Sequence, residues 1–316
     1  MSIHLHTFLL MLWAVGAAHG GPATAPVRHE ADVIYGRKDG MALTLDVVRP
    51  EKANGLGAIF VYSGGWFSQH NFTPASIQPF TGELLNRGYT IFVVVHGSQP
   101  RYTIPDAIGD VKHAVRFVRA NAKRWTVDEK RLGVFGGSAG GHLSLMIGLN
   151  SDDGDPKAAD PIDRVSSRVA AVAAWFPPTD FLNYGEPNKN ALKTVLEPFK
   201  AAFDFRELDP KSKRYVQIKD EKRVEEIEKQ ISPMTHVSKD DPPVLLIHGD
   251  KDVLVPMQQS EVLVEKLKEV EVPVKLVVRP GMGHGWGNIQ ADAVEMADWF
   301  DGHLRNGAGT RESREK

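Results

Sequence analysis

Short uninterrupted apolar runs alternate along this chain with segments whose apolar residues recur every three or four positions. That alternation predicts strands and helices taking turns in a layered α/β fold, with a mostly parallel central sheet and helices on both faces. Residues 31–37 and 41–48 read as an opening antiparallel pair joined across Lys38-Asp39-Gly40, a turn signal. Thr90 to Val95 is largely β-branched and uncharged, as expected of a strand buried on both faces. Ile108, Val111, Val115 and Val118 then recur at helical spacing, with Asp110, Lys112, Arg116 and Arg119 on the other faces. Residues 58–62, 131–135, 169–176, 244–247 and 274–278 read as further strands, and Ile289, Ala293, Met296, Phe300 and Leu304 as the apolar face of a closing helix.

One interval breaks the rhythm. Residues 177–243 are far more than a helical crossover between neighbouring strands needs, and they predict an inserted cap over about 179–238. Its later part, Lys211 to Gln230, is dense in charge and reads as a solvated helical face. A cap so charged argues against a lipase activated at an oil surface, which needs a broad apolar underside, and favours soluble short-acyl esters.

The chemistry concentrates at Gly136-Gly137-Ser138-Ala139-Gly140, a Gly-x-Ser-x-Gly elbow between a strand-like and a helix-like run. A serine on so sharp a turn is backbone-strained, and a Cβ two residues to either side would strike neighbouring backbone. A serine hydroxyl needs a histidine to take its proton and a carboxylate to orient that histidine. Two later loops, each just past a strand, supply them: His248-Gly249-Asp250-Lys251-Asp252 and Gly281-Met282-Gly283-His284-Gly285-Trp286. Ser138, Asp252 and His284 are therefore the expected nucleophile, acid and base. Asp250 is the alternative acid, although its place after Gly249 suits a turn.

Acyl transfer also needs fixed donors for the developing oxyanion. Ala139 N, just after the nucleophile, is one expected donor. The second is expected from the loop after 58–62, in the order Gly65, then Trp66 or Gly64. Trp66, Phe67, Asp180, Phe181 and Trp286 are candidate substrate-pocket residues, and Tyr184 stands close behind. The remaining histidines show no His-Glu-x-x-His or similar spacing, so no metal site is expected, and the serine chemistry requires no cofactor.

In these segments the chain resembles the α/β-hydrolases, and within them the carboxylesterases related to hormone-sensitive lipase, acetyl esterases and feruloyl-esterase-like enzymes, over about Val33 to Leu304. The resemblance implies an α/β-hydrolase fold with an inserted cap and the same three residues as a catalytic triad. Two departures stand out. Many of these esterases carry His-Gly-Gly-Gly-Trp, whereas this chain has Tyr62-Ser63-Gly64-Gly65-Trp66. They commonly carry Asp-Tyr-Arg before a Pro-Glu pair, whereas here Pro105-Asp106 follows His96-Gly97-Ser98-Gln99-Pro100-Arg101-Tyr102. The expected function is a serine carboxylic ester hydrolase acting through an acyl-enzyme on short esters, acetyl or feruloyl groups among them. The alternatives are a serine peptidase of prolyl-oligopeptidase type and a non-catalytic hydrolase fold used for binding.

Composition narrows the partners. The formal charge is −2 with both signs mixed, which gives no basic face for nucleic acid and no electrostatic membrane attachment, and the absence of Cys excludes disulfides. The expected partner is a small or polysaccharide-linked ester. Phe8 to Ala18 is an apolar run of signal-peptide length, with Ala18 and Gly20 placed for cleavage before Gly21. The expected organisation is a signal peptide over 1–20, a linker over 21–30, a catalytic domain over 31–306 and a polar tail over 307–316, in a secreted or periplasmic protein.

Overall fold

The computed structural model describes residues 26–194 and 196–305. The expected signal peptide and polar tail lie outside the described residues. Ten strands and six α-helices form in the order β1 (Val27–Lys38), β2 (Met41–Pro50), β3 (Gly57–Val61), α1 (Gln78–Asn86), β4 (Thr90–Val94), α2 (Ile104–Ala120), β5 (Leu132–Gly137), α3 (Ala139–Leu149), β6 (Ala171–Trp175), β7 (Arg206–Leu208), β8 (Tyr215–Gln217), α4 (Glu221–Gln230), β9 (Val244–Gly249), α5 (Gln258–Glu269), β10 (Val274–Arg279) and α6 (Gln290–Phe300) among the described residues.

Eight strands make one sheet in the order β1-β2-β4-β3-β5-β6-β9-β10. β1 and β2 are antiparallel, β2 joins β4 antiparallel, and every later pair is parallel. The inner strands β3, β4, β5, β6 and β9 are buried along their whole length, because helices cover both faces. Ile104 to Val118 of α2 pack with Leu143 to Leu149 of α3 and Leu263, Val264 and Leu267 of α5 on one face. Phe80, Leu84 and Leu85 of α1 pack with Met296, Ala297 and Phe300 of α6 on the other. α2 opens on a capping box between Thr103 and Asp106, with Pro105 in the first turn.

Three expectations are corrected. β1 begins at Val27, inside the segment expected to be linker, and Val27 to Glu30 pair with Pro50 to Val47. Polar residues hide that edge strand because one of its faces is solvated. Asp110 does not lie on an outer face of α2: it is buried, and its carboxylate accepts from Lys38 Nζ at 3.0 Å and Gly97 N at 2.9 Å. Helix covers only the last ten residues of the charged stretch, Glu221–Gln230, while Tyr215–Gln217 pairs with Arg206–Leu208 in an exposed hairpin turned at Asp209. The cap's inner side is apolar: Phe181, Leu196, Phe199, Ala202, Phe203 and Phe205 are buried into the α2–α3–α5 core. Among the described residues no helix is long and apolar enough to cross a membrane.

Candidate active site

β5 ends and α3 begins at Ser138, whose φ of 53° and ψ of −121° put a non-glycine residue in a sparsely populated backbone region. The surroundings hold it there. Ser138 N donates to Trp175 O at 2.9 Å, and His142 N donates to Ser138 O at 2.8 Å. The flanking glycines are sterically required: a Cβ on Gly136 would lie 2.6 Å from the Gly140 carbonyl carbon, and one on Gly140 would lie 2.4 Å from Val61 O.

The sheet brings the ends of β5, β9 and β10 together, and with them the three expected residues. Ser138 Oγ lies 2.9 Å from His284 Nε2, and His284 Nδ1 lies 2.7 Å from Asp252 Oδ2. An ionised carboxylate only accepts, so Nδ1 carries the proton and Nε2 is left to accept from the serine hydroxyl. Asp252 Oδ1 is fixed by Leu254 N at 2.9 Å and Val255 N at 2.8 Å, while His248 Nε2 stands 3.3 Å from Oδ2. Burial works to raise the Asp252 pKa, and hydrogen bonds from His248, His284 and Val255 N outweigh it, bringing the group down to about 2. Asp250 takes the turn role instead: its Oδ1 accepts from Gly281 N at 2.6 Å, and the side chain is not among His284's hydrogen-bond partners. The Phe176 ring sits 4.6 Å from the His284 ring and limits where the imidazole can swing.

The expected oxyanion donors separate on geometry. Ala139 N opens α3 and so has no acceptor within the helix. Gly64 is ruled out, because its N–H donates to Phe67 O at 3.0 Å and closes a tight bridge. Gly65 and Trp66, both at positive φ, border the cavity beside Ser138. That cavity measures about 10 Å³ and is lined by Gly65, Trp66, Ala139, Leu196, Phe199 and Val255 among others. A single water needs roughly 10–15 Å³ on this scale, so the space is small.

Of the proposed pocket residues only Trp66 borders this cavity. Its indole N–H donates to His142 Nδ1 at 3.1 Å, and His142 Nε2 donates to Ile231 O at 2.7 Å, tying loop, α3 and cap together. Burial keeps His142 neutral by pushing its pKa down to about 4. Phe67 uses its backbone to pair Gly64 and does not line the cavity. Asp180 caps the turn at Leu182 and Asn183, and Phe181 lies one layer behind, edge-on to Trp66. Tyr184 donates to Leu254 O from the core, and Trp286 turns away to donate to Asp292 Oδ2. Phe199 and Leu196, which do line the cavity, come from within the cap, where no periodic signal marks them.

The histidine missing from the Gly-Gly-Trp loop is replaced from elsewhere. His96, just past β4, donates through Nδ1 to Gly97 O at 2.7 Å and accepts from Ser63 Oγ at 2.8 Å. Burial pushes its pKa down to about 4, which leaves Nε2 free to accept. Ser63 O in turn accepts from Gly140 N at 3.2 Å. The two departures from the esterase motifs, Ser63 and His96, therefore touch and jointly clamp the loop to the serine elbow.

Sheet order, elbow and loop positions define an α/β-hydrolase. The BD-FAE family pattern matches residues 45–267, and the chain belongs to that family. It is 29% identical over 262 residues to the probable carboxylic ester hydrolase LipM of Mycobacterium tuberculosis (strain ATCC 25618 / H37Rv), covering 82% of this chain and 56% of that protein. Among solved structures, a truncated carbohydrate esterase from gut microbiota superposes with a TM-score of 0.71 at 27% identity, covering 90% of this chain and all of that one. The acetyl ester-xyloside bifunctional hydrolase from Caldicellulosiruptor lactoaceticus gives 0.69 at 25% identity, covering 86% and 95%. The chain spans 56%, 60% and 55% of the lengths of three curated esterase relatives. It thus shares fold and family with carboxylic ester hydrolases.

Proposed function

We propose that the chain is a serine carboxylic ester hydrolase for short acyl groups. The observation that carries this reading is the hydrogen-bonded row Ser138–His284–Asp252, standing beside a cavity of about 10 Å³. Ser138 Oγ attacks the ester carbonyl as its proton passes to His284 Nε2, and Asp252 stabilises the imidazolium through Nδ1–H. Ala139 N and Gly65 N receive the oxyanion. The imidazolium then protonates the leaving alcohol. Water, deprotonated by His284, attacks the acyl-serine; the bond to Ser138 Oγ then breaks as His284 returns the proton to that oxygen, and the acid leaves.

The small size of the cavity, with Phe199 and Leu196 in its wall, supports short acyl groups over long ones. The carbohydrate and acetyl ester hydrolases among the structural relatives support sugar-linked acetates as natural substrates. Export after cleavage before Gly21 belongs to the same proposal, and N-terminal sequencing of the mature protein tests it. For the activity, p-nitrophenyl esters from C2 to C12 are assayed below their solubility limits, beside a prolyl amide. Acetate turnover that disappears in Ser138→Ala, with melting unchanged, supports the reading. Preference for the prolyl amide, a maximum at C10 or C12, or full activity in Ser138→Ala overturns it.

A further inference from the structure

Away from the serine, a fully buried carboxylate sits where β1, β2 and the loop before α1 meet. Asp46 of β2 is 0% exposed. Its Oδ1 accepts from His70 Nε2 at 2.8 Å and Asp32 N at 3.0 Å, and its Oδ2 accepts from His29 Nε2 at 2.5 Å. His70 Nδ1 lies 3.9 Å from Asp32 Oδ1. One ligand atom each from Asp32, Asp46 and His70 falls within 4.8 Å of the others. Asp32 reaches this position because the β1–β2 register shifts between Glu30 and Val33, and a bulge re-aims the side chain.

Charge separates this cluster from a second one among the described residues. His113, Asp160 and Asp163 also converge, but Arg116 lies 3.5 Å from Asp163 and supplies a permanent cation. Among the described residues Asp32 and Asp46 form ion pairs only with histidines. Two carboxylates stand together there, one of them wholly buried, and a buried charge is costly without a counter-charge. A divalent cation would provide it.

We propose that Asp32, Asp46 and one ring nitrogen of His70 bind a divalent transition-metal ion, while His29 fixes the second oxygen of Asp46. One imidazole with two carboxylates suits Zn²⁺ or Mn²⁺ better than the all-oxygen sites of Ca²⁺ or Mg²⁺. Asp32 and His70 are 67% and 33% exposed in their side chains, which gives the ion an entry path and room for water ligands. His70 follows the Gly64–Phe67 turn in sequence, so a bound ion would staple that loop to the β1–β2 hairpin. The site is independent of whether the serine row hydrolyses esters.

The test is calorimetric titration of the untagged, EDTA-treated full chain with ZnCl₂ and MnCl₂ at pH 7.5. The expected result is one ion per chain, with a rise in melting temperature. Asp32→Asn is at an exposed position and keeps folding out of question; it and His70→Gln should each weaken binding by tenfold or more. His29→Gln should cost about tenfold, as loss of a group that orients a ligand does. Asp163→Asn should change nothing. No binding of either ion up to millimolar concentration, or binding undiminished in both Asp32→Asn and His70→Gln, overturns the proposal.

Discussion

Asp252→Asn isolates one proton in the serine row, and the geometry dictates which way the new amide must face. Two backbone donors, Leu254 N and Val255 N, hold Oδ1 at 2.9 and 2.8 Å. The asparagine carbonyl must take that place, because an NH₂ there would confront two N–H groups and leave both unsatisfied at about 1–3 kcal/mol each. The NH₂ then occupies the Oδ2 position, 2.7 Å from His284 Nδ1. Donor faces donor, so His284 shifts its proton to Nε2 and can no longer accept from Ser138 Oγ. A base held in the wrong tautomer costs roughly 10⁴-fold in kcat, or about 5 kcal/mol of barrier. Binding is untouched at the cavity, so KM should move little. The assay is p-nitrophenyl acetate hydrolysis at pH 7.5 by purified variants, with circular dichroism as the folding control. Asp250→Asn, which disturbs only the Gly281 turn, should retain activity within about threefold if its single turn bond is worth about 0.5–1.5 kcal/mol of stability and nothing in the reaction. If Asp252→Asn keeps a tenth of the activity, or Asp250→Asn is the more damaged, the assigned proton path is wrong.

Phe199→Ala should open the cavity beside Ser138 and raise butyrate over acetate in kcat/KM by about 15-fold, from two extra methylenes at about 0.8 kcal/mol each; an unchanged C4-to-C2 ratio in folded protein refutes Phe199 as the depth limit. Ser63→Ala leaves buried His96 Nε2 without its donor, and by loosening the Gly-Gly-Trp loop it should lower kcat about tenfold with KM near its original value, less than the 10²–10³ of losing an oxyanion donor outright; equal loss in KM alone speaks against a positioning role. Acid should destabilise the fold in two windows. Burial holds His96 and His142 down at about 4, so between pH 6.5 and 4 the unfolded chain binds protons that the folded chain does not, and stability falls as pH falls, by up to about 3 kcal/mol per group. Asp252, depressed to about 2, adds a loss only below the ordinary carboxylate range, while Asp241, pushed up to about 6 by burial and half-exposed, offsets part of the upper window. Urea midpoints at pH 7, 5.5 and 4.5 should fall in that order, and His142→Gln should flatten the dependence; a midpoint that rises toward pH 4.5 contradicts this assignment.

Much of this architecture is legible in the chain because it is local. Apolar period sets strands and helices, and a Gly-x-Ser-x-Gly run has few ways to fold that spare its backbone a collision. The order of Ser138, Asp252 and His284 in loops just past strand ends follows from the same reading, since parallel strands bring those loops to one edge. Between Asp250 and Asp252 the sequence offered only a preference; Leu254 N, Val255 N and the reach of His284 decide it. Gly64 likewise looked available until its amide was seen to close on Phe67. Contacts between segments far apart in sequence leave no period behind them. Ser63 and His96 read separately as two departures from an esterase motif, and only the adjacency of the loops after β3 and β4 makes them one hydrogen bond. Phe199 meets Gly65 across the cap, and Asp32, Asp46 and His70 converge from a bulge, a strand and a loop. Such meetings depend on strand order and register, which are set by packing the whole core and not by any residue's neighbours along the chain.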